Sequence, residues 1–223
     1  MLPGPNLPAS LLAVLASLRR CFTAPGYGTF CGLVAGLAGQ VRRRTVVGML
    51  LGAGLTRVWP QDRAHYFFSR ARWEIDQLGL AAAALVVLAL VEPGADLVVA
   101  VDDSVFRRWG RKVWAAGWQH DGSSPSANKI SYGNCFVTAG IIVKLPFCTR
   151  DVCLPVLARL HLPGKGAGPS KAETAATLVK LLAAAFPDRM VHVVADAAYH
   201  GNAVGTAKER DVDMPAGPQR GAA

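Results

Sequence analysis

The feature that most constrains this chain is a pair of short β-branched runs that each lead directly into aspartate. The first is Leu97–Val101, followed by Asp102 and Asp103, and the second is Val191–Ala195, followed by Asp196. Runs of this length and composition predict buried strands. A strand that ends on a carboxylate places charge at the rim of a sheet, and two such carboxylates are hard oxygen ligands of the kind that Mg²⁺ uses. For either aspartate alone, the alternative is a strand stop or a helix cap.

Before these runs, residues 7–92 carry apolar side chains at helical spacing, and Pro93-Gly94 closes the region. A helical N-terminal region is therefore predicted at residues 1–94. The segment Pro25–Gly28 should separate its first two helices, because glycine and proline interrupt helical patterns. The expected helices cover about residues 8–20, 29–37, 45–55, 62–72 and 74–90.

After Gly94 the spacing changes to that of strands. The expected strands are Leu97–Val101, Lys112–Trp118, Asn134–Val143 and Val191–Ala195. A helix over Lys171–Phe186 should precede the last strand, with Ser170 and Glu173 forming a capping box, and a further helix should begin near Tyr199. This order predicts an α/β fold with a mixed sheet over residues 95–211.

The composition indicates a folded protein with a polyanionic partner. Apolar residues make up 52% of the chain, and 24 Lys and Arg against 15 Asp and Glu give a net charge of +9. Such an excess most often reflects binding to nucleic acid. The candidate phosphate contacts are Arg43 and Arg44 in one cluster, and Arg108, Arg111 and Lys112 in a second cluster close to Asp103. A solvated basic surface is the alternative for each cluster.

Three tryptophans, Trp109, Trp114 and Trp118, surround the expected second strand. Packing in the core is the favoured interpretation, and stacking on flipped or single-stranded bases is the alternative. The Pro/Gly/Ala-rich segment 212–223 predicts a flexible tail.

The cysteines and the apolar segments bear on the compartment. The chain has five cysteines and no Cys-x-x-Cys pair, which favours a reduced, intracellular protein. The apolar run at residues 7–18 has no basic residue before it, unlike a signal peptide. The apolar stretches are too short, or too interrupted by arginine, to span a bilayer. We expect a cytoplasmic protein with no membrane partner.

Four motifs in this order resemble those of DDE-superfamily insertion-sequence transposases. The segment Asp103-Ser104-Val105-Phe106, followed by Gly110-Arg111-Lys112, is similar to their first-carboxylate motif. The segment Val193-Val194-Ala195-Asp196-Ala197-Ala198-Tyr199 is similar to their second. Residues 43–50 and 62–73 resemble the helical region that precedes the catalytic core in these enzymes.

This resemblance implies a ribonuclease H-like core that cuts and joins DNA with two divalent metal ions, Mg²⁺ or Mn²⁺. It assigns Asp103 and Asp196 as catalytic metal ligands, and it makes the helical region 1–94 a DNA-binding or assembly region. Asp102 is the alternative first ligand, since neighbouring strand residues point to opposite faces. The family pattern of an acid followed by Ser or Thr favours Asp103.

The family also has a third carboxylate, usually a glutamate on a helix further along the chain. The acids after Asp196 are Glu209, Asp211 and Asp213, and they lie too close to Asp196 to match. We therefore expect a C-terminally truncated, catalytically impaired DDE-type transposase with an incomplete core. The alternative is a non-catalytic DNA-binding or regulatory fragment that associates with insertion-sequence ends, with itself or with a full-length transposase.

Overall fold

The computed structural model describes residues 7–40, 45–110, 112–124, 127–164, 168–196 and 199. It divides into two compact units, Met1–Ala82 and Ala83–Ala223. Its described residues form an α/β fold in which a helical N-terminal part precedes a mixed five-stranded sheet. None of the described helices is both long and apolar enough to cross a bilayer.

The first unit is helical. Its elements are α1 (Ala9–Ser17), a 3₁₀ turn (Arg19–Cys21), α2 (Ala24–Gly39), α3 (Val46–Gly52), α4 (Gln61–Ser69) and the start of α5 (Ile75–Leu90). The expected break at Pro25–Gly28 is wrong. The Thr23 hydroxyl caps α2 by accepting a hydrogen bond from the Gly26 amide, and Pro25 fits the first turn, where no intrahelical donor is needed.

An aromatic cluster fills the core of this unit. Phe22 and Phe30 stack with ring centroids 4.5 Å apart, and Phe67 and Trp73 stack with centroids 5.5 Å apart. Helices α2 and α3 approach closely at Gly36, where an added Cβ would collide with the Met49 backbone. The glycines that lower the helix propensity of this region therefore permit helix packing.

The second unit contains the sheet. Its elements are β1 (Leu97–Arg107), β2 (Gly117–His120), β3 (Ile130–Val143), β4 (Val152–His161), α6 (Lys171–Ala185) and β5 (Val191–Ala195). The strand order is β2-β3-β1-β5, and β4 also pairs with β3. The β1–β3, β2–β3 and β3–β4 pairs are antiparallel, whereas β5 is parallel to β1. Antiparallel strands followed by a helix and a parallel strand agree with the ribonuclease H-like topology that the resemblance implies.

One face of β1 builds the core of this unit. Leu97, Val99 and Val101 are at most 3% exposed, and so are the residues of β3 that lie opposite them on the same face. Helix α6 contacts β1, β3 and β4, and its apolar side chains Leu178 and Leu182 are fully buried. Asp103 continues the same alternation and therefore belongs to this face.

The structure confirms some predicted elements and changes others. The strand β5 and the capping box of α6 are confirmed. The first strand does not end at Val101, because antiparallel pairing with β3 carries β1 on to Arg107. The strand predicted at Lys112–Trp118 is wrong, and β2 forms at Gly117–His120 instead. The helix expected after Tyr199 and the tail at 212–223 lie outside the described residues.

Candidate active site

The predicted carboxylates lie just beyond the last residues that β1 and β5 pair, in the middle of β1 and at the end of β5. The last paired residues are Val101 and Ala195. By this register Asp196 is level with Asp102, and Asp103 is one residue further along β1. Asp102 and Asp196 are exposed, and the side chain of Asp103 is 21% exposed.

Asp102 and Asp103 have different surroundings. Asp102 lies on the more open face of β1, where its Oδ1 atom accepts a 2.7 Å hydrogen bond from the Asp103 amide. Thr138 Oγ1 donates to the Asp102 carbonyl oxygen over 3.2 Å. Asp103 lies on the face that builds the core, beside α6. Among the described residues, partners from other elements hydrogen-bond to the side chain of Asp103 but not to that of Asp102.

Three donors hold the Asp103 carboxylate. Lys171 Nζ lies 2.7 Å from Oδ2, and the Cys135 thiol contacts the same oxygen at 3.2 Å. The Tyr199 hydroxyl donates to Oδ1 over 2.8 Å. We call Asp103, Lys171, Cys135 and Tyr199 the Asp103 cluster. Its members come from β1, α6, β3 and the segment after β5, so it forms only when all four parts are in place.

The Asp103 cluster contains one negatively charged and one positively charged group at neutral pH. Burial opposes the charged form of Asp103, but hydrogen bonds from Lys171, Tyr199 and Cys135 outweigh it and lower the pKa of the carboxyl. Burial also opposes the charged form of Lys171, yet its hydrogen bond to Asp103 leaves the lysine pKa raised. Asp103 is therefore ionised and Lys171 protonated at neutral pH.

The two other donors stay neutral. Burial, together with the adjacent Asp103 carboxylate, raises the pKa of the Cys135 thiol to about 11. Burial and the hydrogen bond to Asp103 likewise raise the pKa of Tyr199. Both groups keep their protons at neutral pH, and both can go on donating to the carboxylate.

The local sequence explains how Lys171 reaches Asp103. Lys171 is the first residue of α6, and the capping box fixes where that helix begins. Ser170 Oγ accepts from the Glu173 amide over 3.2 Å, and the Ser170 amide donates to Glu173 Oε2 over 2.8 Å. The capping box was visible in the sequence, but its consequence for Asp103 was not. No local pattern predicted that Lys171, Cys135 or Tyr199 would contact this carboxylate.

The structure describes two of the five residues that are predicted to contact phosphate. Arg108 follows β1, and its Nε atom donates to Asn134 Oδ1 over 2.9 Å. Lys112 is exposed. Arg43, Arg44 and Arg111 lie outside the described residues.

The favoured interpretation of the three tryptophans is wrong. Trp109 is 90% exposed, Trp114 is 74% exposed and Trp118 is 73% exposed, so none of them packs in the core. They lie where the chain leaves β1 and enters β2, outside the sheet face that α6 covers.

The comparison with known families defines the class. Residues 18–217 match the DDE superfamily endonuclease family, which covers most of the chain. The chain belongs to this family of DNA-cutting, transposase-type nucleases, whose members generally use divalent metal ions. No curated protein and no solved structure matches it.

Proposed function

We propose that this protein carries out DDE-type DNA cleavage and strand transfer of the kind that moves insertion sequences, with Asp103 and Asp196 as its catalytic carboxylates. The observation that carries the proposal is the Asp103 cluster. This cluster contains an ionised, partly exposed carboxylate, Asp103, next to the end of β5, which is followed by Asp196. The chain that carries it belongs to the DDE superfamily endonuclease family.

The donor chemistry suits Mg²⁺ or Mn²⁺. Carboxylate oxygens are the ligands these ions prefer, and Mg²⁺ needs only one or two carboxylates besides substrate phosphate and water. Asp103 and Asp196 would hold the ion, with Asp102 as the alternative first ligand. A bound ion would lower the pKa of an attacking water or hydroxyl and offset charge on the phosphate oxygens.

The protein's own side chains have distinct roles in this proposal. The Tyr199 hydroxyl and the Cys135 thiol fix the orientation of the Asp103 carboxylate by donating to its two oxygens. The Lys171 ammonium, 2.7 Å from Oδ2, balances the charge of the carboxylate. A phosphate oxygen could replace the carboxylate as the partner of Lys171, and a cation could replace Lys171 as the partner of the carboxylate. Positioning and charge stabilisation of this kind supply most of the rate in phosphoryl transfer.

DNA is the proposed partner, and the net charge of +9 supports it. We assign the phosphate contacts to Arg43, Arg44, Arg108, Arg111 and Lys112. The helical region 1–94 would bind the insertion-sequence ends or assemble with a second copy or a full-length transposase. This activity implies a protein that acts in the cytoplasm.

A second candidate function is non-catalytic DNA binding or regulation. In the part of the chain that the structure describes, no three His, Cys, Asp or Glu side chains form a group that could hold a metal ion. Two carboxylates hold a cation more loosely than the three that this family uses. On this second candidate function, the protein would bind DNA with at most trace nicking and no strand transfer.

Supercoiled plasmid carrying insertion-sequence ends, incubated with Mg²⁺ or Mn²⁺, tests both candidates. The variants are Asp103→Asn, Asp102→Asn and the control Asp96→Asn, whose carboxylate lies just before β1 and pairs with His192. Trace nicking that Asp103→Asn removes and Asp96→Asn keeps supports the catalytic assignment. Nicking that survives Asp103→Asn but not Asp102→Asn transfers the role to Asp102. Robust nicking by the unmodified chain overturns the impairment.

A further inference from the structure

We propose that a groove at the far end of β1 binds one unpaired nucleotide of the DNA substrate, with its base stacked on Trp118 and its phosphate on Arg108. This inference rests on the proposed DNA-processing function and adds a second binding site to it. The groove encloses about 730 Å³, within the range of small-molecule sites. Its lining includes Arg107, Arg108, Trp109, Trp118 and Tyr132, and we call it the tryptophan groove.

The aromatic side chains of the groove are built for a planar ligand. Trp118 and Tyr132 lie opposite each other on β2 and β3, with ring centroids 5.6 Å apart in an edge-on arrangement. Trp118 is 73% exposed and Trp109 is 90% exposed. Large aromatic rings left in water, next to cationic side chains, mark a binding surface. A nucleic-acid base can stack on such a ring only when it has left the double helix.

The two arginines of the groove differ in how their charge is balanced. Arg107 pairs with the buried carboxylate of Asp121, with Nη2 3.1 Å and Nε 3.4 Å from Oδ2. Arg108 instead donates through Nε to the neutral amide oxygen of Asn134. The Asn134 side chain is itself fixed, because its amide nitrogen donates to the Trp114 carbonyl over 3.0 Å. Asn134 therefore holds the Arg108 side chain in place without neutralising its positive charge. An arginine in this state is suited to binding a phosphate.

Trp118 and Tyr132 lie on the sheet face that carries Asp102, opposite the face of Asp103. Arg107 follows Asp103 by four residues on β1, and a strand of that length spans roughly 13 Å. A single strand with one nucleotide in the tryptophan groove would therefore have to pass around the Arg107 end of β1 to reach the Asp103 cluster.

Binding of a short single-stranded oligonucleotide containing 2-aminopurine, measured without divalent metal, tests the proposal. The variants are Trp118→Ala, Trp118→Phe and Arg108→Gln. The matched controls are Phe147→Ala and Arg150→Gln, an exposed aromatic ring and an exposed arginine in the connection after the opposite end of β3. The same sequence as a duplex is the second ligand. Melting temperatures check that each variant is folded.

We expect the unmodified protein to quench the 2-aminopurine fluorescence, and we expect Trp118→Ala to weaken single-strand binding about tenfold. Trp118→Phe should retain most of the affinity, and duplex binding should change less than twofold. Arg108→Gln should also weaken single-strand binding, whereas both controls should leave it unchanged. Equal losses of single-strand binding in Trp118→Ala and Phe147→Ala overturn the proposal, and so do equal losses of single-strand and duplex binding in Trp118→Ala. Because cleavage is not measured, an inactive Asp103 site leaves this result interpretable.

Discussion

Asp103 and Asp121 each pair with a cationic side chain, but their surroundings suit different purposes. Asp121 is 6% exposed and accepts hydrogen bonds from Ser123, Ser131 and Arg107, all within its own corner of the sheet. Asp103 is 21% exposed and takes its partners from three separate elements. A buried carboxylate that is satisfied by nearby hydroxyls fixes a loop, whereas a partly open one beside the end of β5 can exchange a partner for a ligand.

The largest expected difference between the two aspartates is in metal binding. Removing even a second-shell partner of a metal ligand costs about 10–100-fold in affinity, and removing a ligand costs at least as much. We expect Asp103→Asn to weaken Mn²⁺ binding about a hundredfold, and Asp121→Asn to leave it within twofold. Electron paramagnetic resonance of free Mn²⁺ measures both affinities. Equal effects of the two substitutions would show that Asp103 and Asp121 do not differ in metal binding.

The second expected effect concerns the basic surface near Asp121 and its contribution to DNA binding. Several phosphate contacts make affinity fall steeply with salt, so raising salt from 50 to 200 mM should weaken duplex binding at least about tenfold. Fluorescence anisotropy with a labelled duplex measures the slope. Arg108→Gln should reduce that slope by about one unit, and Arg150→Gln should leave it unchanged. Binding that is indifferent to salt contradicts the assignment of a phosphate-contacting surface.

The sequence was sufficient to predict two of the local elements around Asp103. The strand β5 is a β-branched run that ends at Asp196, and Ser170 and Glu173 mark where α6 begins. The strand β4 was not predicted, and it contains Pro155, a residue that disfavours a regular strand. The structure places Pro155 opposite Gly140, beside a register shift where a missing amide is tolerated.

The contacts of the two aspartates could not be predicted in the same way. Asp103 and Lys171 are 68 positions apart, and they meet only after α6 has packed on the sheet. Trp118 was expected in the core because aromatic residues near strands usually are, and only the edge position of β2 leaves it in water. The spacing of apolar residues predicts helices and strands, but it does not predict which strand lies at the edge of the sheet.

A smaller effect is expected from Lys171, the cation that competes with a metal ion for Asp103. Ion pairs open to solvent contribute about 1 kcal/mol at most, so Lys171→Met should raise Mn²⁺ affinity by about fivefold at most. Lys180→Met, an exposed lysine on the same helix, is the matched control and should change nothing. A fall in affinity in Lys171→Met would show that the lysine helps to form the metal site.

The smallest expected effect is on stability in acid, where both aspartates act in the same direction. Hydrogen bonds from Ser123, Ser131 and Arg107 lower the pKa of Asp121, and those from Lys171, Tyr199 and Cys135 lower the pKa of Asp103 against the effect of burial. A carboxyl whose folded pKa is depressed stabilises the fold above its unfolded pKa, near 3.9, and loses that contribution as pH falls through the folded value. The acid limb of the melting temperature below about pH 4 should therefore flatten in Asp121→Asn, and flatten less in Asp103→Asn. Thermal melts between pH 2 and 7 measure both, with Asp96→Asn as the exposed control. A steeper limb in either variant contradicts the direction of the shift assigned to that carboxyl.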